Sequence, residues 1–297
     1  VRGGSFNETQ FMVDGLVLND ERTGEPTTGI PLSAVQDISL QTGGFGAEYR
    51  NARSGVINVV TREGSKDSYS GTISIRQSPP AQKHFGTSPY DPESFWFKPY
   101  LDDEVAWTGT NNGVWDEYQQ RQYPSFDGWN SVSEQTLADD DPSNDLTPAG
   151  AQKLFTWEHR LNGAIKDPDV NIDAGFGGPV PFLSSKLGNL RFFASALHNE
   201  SMYLYEVSKP SLKKRSYLLK LTADVSNNSK LVYSLLQGEM EGTTLSRGGG
   251  TNIINDVWDL ASQVNSSGFT MPWRIFTNDY WSPTKINNLT HALKYTK

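Results

Sequence analysis

Apolar and polar residues alternate with a period of two through much of this chain, the spacing of strands with one apolar and one polar face. In Tyr217 to Ser226 the odd positions are Tyr217, Leu219, Leu221, Ala223 and Val225, and the even ones include Lys220, Thr222, Asp224 and Ser226. Val170 to Gly177 and Gly71 to Gln77 alternate in the same way. Leu190 to Glu200 and Leu231 to Met240 are less regular, with Phe192 beside Phe193 and Leu235 beside Leu236, and Lys285 to Lys297 is a sixth candidate. The spacing predicts short connections at Phe182 to Asn189 and Val225 to Lys230. It predicts long ones over residues 78 to 168, about 201 to 215, and 243 to 284. Such alternation fits a soluble β-sandwich or a transmembrane β-barrel, since period two shows only that one face is buried. A helical membrane span is excluded, because the longest apolar run, Met202 to Tyr205, falls far short of the roughly 18 residues required.

The first 64 residues read differently, as short extended pieces joined by glycine turns. Phe11-Met12-Val13 and Leu16-Val17-Leu18 flank Asp14-Gly15, a two-residue connection that closes a tight hairpin when both positions take φ > 0. Pro31 stands where a helical turn of Leu32-Ser33-Ala34 would begin. Ile38 to Gln41 and the β-branched run Val56 to Thr61 are then strands, separated by the loop at Thr42 to Gly46.

Three pieces of this region carry a resemblance in the same order: Val1-Arg2-Gly3-Gly4 followed by Phe11 to Gly15, then Ile30 to Ile38, then Gly46-Ala47-Glu48-Tyr49 leading to Ser54 to Thr61. Together they resemble the plug domain of TonB-dependent outer-membrane receptors, with one departure: Arg50 follows Tyr49 where the family usually carries Gly. The resemblance implies a mainly β chain. Residues 1–64 would be the C-terminal part of a small α/β plug, and residues 65–297 the first part of an antiparallel transmembrane barrel. About six strands cannot close around a plug, since plugged transporters use about 22, so the chain is expected to be a fragment. The implied activity is active uptake of a large ligand of the siderophore, oligosaccharide, cobalamin or peptide class across the bacterial outer membrane, with no catalysis and no cofactor. The implied partners are the TonB-type energy-transducing complex, whose contact segment lies outside this chain, outer-membrane lipid, the extracellular ligand and a surface lipoprotein. Arg2, Gly3, Gly4, Asp14, Gly15, Gly44, Glu48, Tyr49, Gly55 and Asn58 would be the plug-motif residues, with Arg2 expected to meet a carboxylate on the barrel wall.

The long segment 78–168 is rich in aromatics, and so is expected to fold on itself. Trp96, Trp107, Trp115, Tyr118 and Trp129, mixed with acidic residues, are candidates for contacting a carbohydrate or cationic ligand. The alternative is that such rings pack loop on loop or form an interfacial girdle. Thr147 and Pro148 read as the N-cap and first residue of a helix running to Leu161. Asp139, Asp140 and Asp141 offer oxygens to Ca²⁺, but the stretch lacks the glycine and terminal glutamate of an EF-hand and reads better as a solvated turn.

The remaining chemistry narrows the field. There is no cysteine, which removes disulfides and thiolate sites. A net charge of −8 argues against nucleic acid as a partner, the only basic knot being Lys209, Lys213, Lys214 and Arg215. His84, His159, His198 and His291 are too scattered to propose a metal, and Arg247 to Thr251 lacks the Lys-Ser/Thr of a phosphate loop. A soluble or surface-attached carbohydrate-binding β-sandwich is the competing reading. Tyr217, Leu219, Leu221 and Val225 separate the two: outward-facing in a barrel, inside a dry core in a sandwich.

Overall fold

The computed structural model describes residues 9–20, 24, 26, 28–42, 54–80, 83, 91–95, 97–158, 165–203, 207–244, 253–254 and 282–297. The described residues are mainly β and form two sheets.

The smaller sheet has four strands, β1 (Thr9–Val13), β2 (Leu16–Val17), β3 (Val35–Gln41) and β4 (Gly55–Thr61), in the order β2-β1-β4-β3. The β1/β4 pair is parallel, so the chain must cross over between them, and it does so through the 3-10 turn Leu32–Ala34 and β3. Asp14 (φ 50°) and Gly15 (φ 88°) make the β1–β2 turn with both central residues in the left-handed region, as the Asp-Gly pair requires. Pro31 caps the 3-10 turn instead of entering it.

The larger sheet is a meander of six antiparallel strands in sequence order: β5 (Ser70–Ser78), β6 (Asp169–Pro179), β7 (Arg191–Met202), β8 (Ser211–Ser226), β9 (Ser229–Thr244) and β10 (Ser282–Thr296). All six coincide with the alternating segments. One connection is corrected: the loop expected over about 201 to 215 shrinks to 203–210, because β8 begins at Ser211. The basic run there is strand. Lys213 bonds Glu200 at 3.2 Å on β7, and Arg215 bonds Glu239 on β9, so the charges that mimic a loop are neutralised across the ladder.

Between β5 and β6 lies a helical insert with α1 (Lys98–Leu101), α2 (Glu117–Gln122), α3 (Trp129–Leu137) and α4 (Pro148–Glu158). Thr147 Oγ1 accepts the Gly150 N–H at 3.1 Å, as an N-cap should, and the expected end of α4 near Leu161 lies outside the described residues. The insert has its own core of Phe97, Tyr100, Ala106, Trp129, Ala151 and Phe155.

A second core joins the two sheets. Val13, Leu18, Ala34 and Val59 of the small sheet and its loops pack on Phe193, Leu218 and Leu236 of β7, β8 and β9. The small unit therefore lies on one face of the larger sheet. The inward positions of β8 are Ser216, Leu218, Lys220 and Thr222, all buried.

Candidate functional site

The seam between the small unit and the six-stranded sheet concentrates the polar chemistry of the described residues. At its centre is the β1–β2 turn. Asp14 Oδ1 accepts the Thr61 backbone N–H at 2.9 Å, and Asp14 Oδ2 accepts the Thr61 hydroxyl at 2.5 Å. Asn58 Oδ1 accepts the Gly15 N–H at 3.2 Å, closing the turn onto β4. Lys220 reaches in from β8: its ammonium donates to Asp14 Oδ2 at 3.2 Å, to the Thr61 carbonyl at 3.0 Å and to Thr61 Oγ1 at 3.1 Å. Lys220 is only 5% exposed. An ammonium so deeply placed needs a carboxylate and a full set of acceptors, and the small unit supplies them all.

Two further contacts fix the unit. On β6, Asp173 is 7% exposed, and its carboxylate accepts the N–H groups of Leu32 at 2.5 Å and Ser33 at 2.9 Å, satisfying donors at the start of the 3-10 turn. Gly175, two residues on, permits this approach, since a Cβ there would lie 2.9 Å from Ser33 Cβ. At the end carrying the short turns, Glu63 bonds Lys230 at 2.6 Å and Arg191 at 3.2 Å, and Asp224 bonds Arg191 at 3.0 Å and Lys66 at 2.7 Å. Burial pushes the Glu63 carboxyl up, but the bonds from Lys230 and Arg191 outweigh it and hold the group below its ordinary range.

The opposite face of the larger sheet has a different character. Cross-strand rows run Ile73, Ala174, Ala196, Tyr217 and Phe176, Ala194, Leu219, Leu235 through neighbouring strands. Ile73 is 68% exposed, Val225 60% and Leu293 72%. Tyr217 is also exposed, and Leu219 and Leu221 are half-buried, so these side chains point away from the small unit. From Tyr217 to Val225 the apolar stripe runs about 26 Å at about 3.3 Å per residue. Towards the long connections it gives way to the ion pairs Lys209–Glu241, Lys213–Glu200 and Lys285–Glu239. Towards the short turns it carries the rings of Tyr69, stacked on Phe176, and of Phe192, tilted against Phe176.

No family model matches the chain. A curated relative does. Over 79 residues, 27% of the chain, the sequence is 34% identical to the TonB-dependent transporter Oar of Myxococcus xanthus. The chain covers 7% of that protein's length.

The residues singled out from sequence divide into three groups. Asp14, Gly15 and Asn58 come together where the β1–β2 turn meets β4, whereas Gly55 opens β4 at the far end of the ladder, opposite Thr9. Arg2, Gly3, Gly4, Gly44, Glu48, Tyr49 and Trp96 lie outside the described residues, and with Arg2 so does its expected contact with a wall carboxylate. In the insert, Trp129 is 6% exposed with its Nε1–H donated to the Tyr100 carbonyl at 2.8 Å, and Trp115 is 3% exposed. Both hold the insert together by packing. Trp107 flanks the same core, and Tyr118 presents its ring to solvent at 75% exposure. The aspartates at 139–141 form local turns: Asp139 accepts from Asn144 at 2.9 Å and Asp141 from Ser143 at 2.6 Å, which keeps both carboxyls below their ordinary range. Sequence reasoning missed Lys220, Asp173, Glu63 and Arg191. The available signal was their parity: each polar strand residue among them sits on the face opposite the apolar stripe.

Proposed function

We propose that this chain is part of a TonB-dependent outer-membrane transporter that takes up a ligand too large for a passive pore. Residues 1–64 would be the end of the plug and residues 65–297 the first six strands of the barrel wall. The observation that carries the reading is the inversion of the six-stranded sheet. Its inward face carries the buried groups Lys220, Asp173 and Arg191 beside an apolar core and grips a small folded unit, while its outward face is apolar and uncovered among the described residues, with a stripe from Tyr217 to Val225 close to the roughly 9–11 residues that a tilted strand needs to span a membrane. The rings of Tyr69, Phe176 and Phe192 sit where such barrels carry an aromatic girdle. The partial similarity to the Myxococcus transporter supports the same reading. The work of the protein is then conformational: ligand binds from the long-loop side, and the energised inner-membrane partner draws on the plug until a path opens beside it. Within this chain the plug is held by Lys220, Asp173 and the Glu63–Arg191 cluster. Their bonds are made to the small unit or to the segment that follows it, so they must part or be carried along when it moves.

The test is compartment and size. The intact polypeptide containing these peptides is expected in the outer-membrane fraction, extractable only with detergent and much heavier than 33.0 kDa. A soluble protein of about this mass would overturn the transporter and favour a carbohydrate-binding sandwich.

A further inference from the structure

Arg62 and Glu63 are neighbours in the chain, but their bonds run to opposite sides of the seam. The Arg62 N–H donates to the Ala34 carbonyl at 2.8 Å and its Nε–H to the Val35 carbonyl at 3.0 Å, both in the small unit. The Glu63 carboxylate accepts instead from Lys230 of β9 at 2.6 Å and from Arg191 of β7 at 3.2 Å. Three residues on, Lys66 pairs with Asp224 of β8 at 2.7 Å, and Asp224 in turn holds Arg191 at 3.0 Å. Lys66, Asp224, Arg191, Glu63 and Lys230 therefore form one chain of alternating charge that ties residues 63 and 66 to three wall strands. The backbone between them is fastened too. Gly64 is buried, and a Cβ there would collide with the Phe192 carbonyl of β7 and lie 3.1 Å from the Gly178 nitrogen of β6.

The hold of the small unit thus passes to the hold of the wall within one peptide bond. Its position has a mechanical consequence, because β5 follows at Ser70 and pairs with β6 from Ser70 to Ser78. A load on the small unit travels along the chain to whatever is fastened next. With residues 63–66 loose, it would arrive at β5, the first strand of the larger sheet. With them fastened it is shared among bonds to β7, β8 and β9, and bonds loaded together must yield together. These bonds join ionised donors to ionised acceptors, the stronger class of hydrogen bond, and the guanidinium at their centre, Arg191, is only 5% exposed. The bonds of Lys220 and Asp173 differ in kind, since they end on the small unit itself and not on the segment after it.

We propose that residues 63–66 are a force stop: when the small unit is drawn out, the released chain ends at Arg62, and the charge chain on β7, β8 and β9 keeps the load off β5. The proposal rests on the uptake reading and adds to it the place where the moving part ends.

The test pulls on the complete transporter in a supported lipid bilayer, through a handle on Val1→Cys, with the load raised until the small unit has given way. With the stop intact, the released length is expected to end after residues 1–62, about 210 Å at about 3.4 Å per residue. In Glu63→Gln combined with Lys66→Met the end is expected to move to Ser70, about 24 Å further. Should the double variant fail to insert, Lys66→Met alone, on a side chain 50% exposed, is expected to keep the length and lower the force at which the stop yields. A release that runs past Arg62 to β5 with the stop intact, or an unchanged length and force in the variants, overturns the force stop and leaves the uptake reading standing. A protein that does not enter bilayers at all overturns both.

Discussion

The two faces of the six-stranded sheet are built from the same strands, yet they solve burial in opposite ways. Inward, Lys220, Asp173 and Arg191 are buried at 5%, 7% and 5% exposure, and each is met by partners from across the seam or from the segment leading into β5. Outward, Ile73, Ile75, Leu289 and Leu293 are more than half exposed and have no polar function to perform. In a protein surrounded by water an apolar face of this extent would be covered as well. The function proposed above requires this arrangement: hydrocarbon outside, and inside a polar lumen filled by a folded unit. Alternation alone does not distinguish these cases, because a strand carries the same period whichever face is buried. What distinguishes them is which face holds the buried charges, Lys220, Asp173 and Arg191.

That comparison can be broken from either side. On the inward face the largest effect is expected for Lys220→Met. It leaves the Asp14 carboxylate in the seam without its ammonium, and removing one partner of a buried pair costs about 3–5 kcal/mol. Urea unfolding in detergent should show a lowered midpoint. An unchanged midpoint would mean that the small unit is not held at Lys220. On the outward face Leu219→Arg puts a charge in the middle of the apolar stripe. For a lipid-facing site near the bilayer midplane this destabilises by about 2–4 kcal/mol, whereas an exposed site in water changes by no more than about 0.5 kcal/mol. The same variant unfolded from bilayers therefore reads the solvent directly.

A smaller effect tests the second anchor. Asp173→Ala strips the acceptor from the Leu32 and Ser33 N–H groups, and a buried donor left unpaired costs about 1–3 kcal/mol. Because the turn is neutral, Asp173→Asn should recover part of the loss through its one carbonyl oxygen. Equal losses in the two variants would assign the role to charge instead of hydrogen bonding.

Much of this is legible in the sequence. Asp14-Gly15 forced a left-handed turn, and Thr147-Pro148 placed a helix start. The apolar parity of Tyr217 to Val225 showed which side chains share a face. Two kinds of feature were hidden. Residues such as Lys213 and Arg215 look like a loop because their neutralising partners, Glu200 and Glu239, lie on neighbouring strands and are distant in sequence. Trp115 and Trp129 look like ligand platforms because composition records that aromatics are present, not whether their faces are spent on each other. Trp129 lies 5.0 Å from Phe126 and 5.4 Å from Phe155, ring centre to ring centre, so its faces are committed to the insert. The register that sets Lys220 against Asp14 brings together residues from opposite ends of the fold, and no local pattern encodes it.

The smallest expected effect is also the one with the clearest sign. Glu63 is held below its ordinary value of 4.5, since the bonds from Lys230 and Arg191 favour the carboxylate more than burial disfavours it. A group whose folded pKa is depressed binds its proton more readily in the unfolded chain. Its stabilising contribution is therefore fully present above about 4.5 and disappears as the pH falls through the lower, folded value. With a quarter of the side chain exposed, solvent screening limits the contribution to about 1 kcal/mol or less. Stability in urea measured from pH 7 down to pH 3 should thus fall by slightly less in Glu63→Gln than in the wild type. Parallel curves would show that the cluster at the short-turn end is held by Asp224 with Arg191 and Lys66, and that Glu63 adds nothing to it.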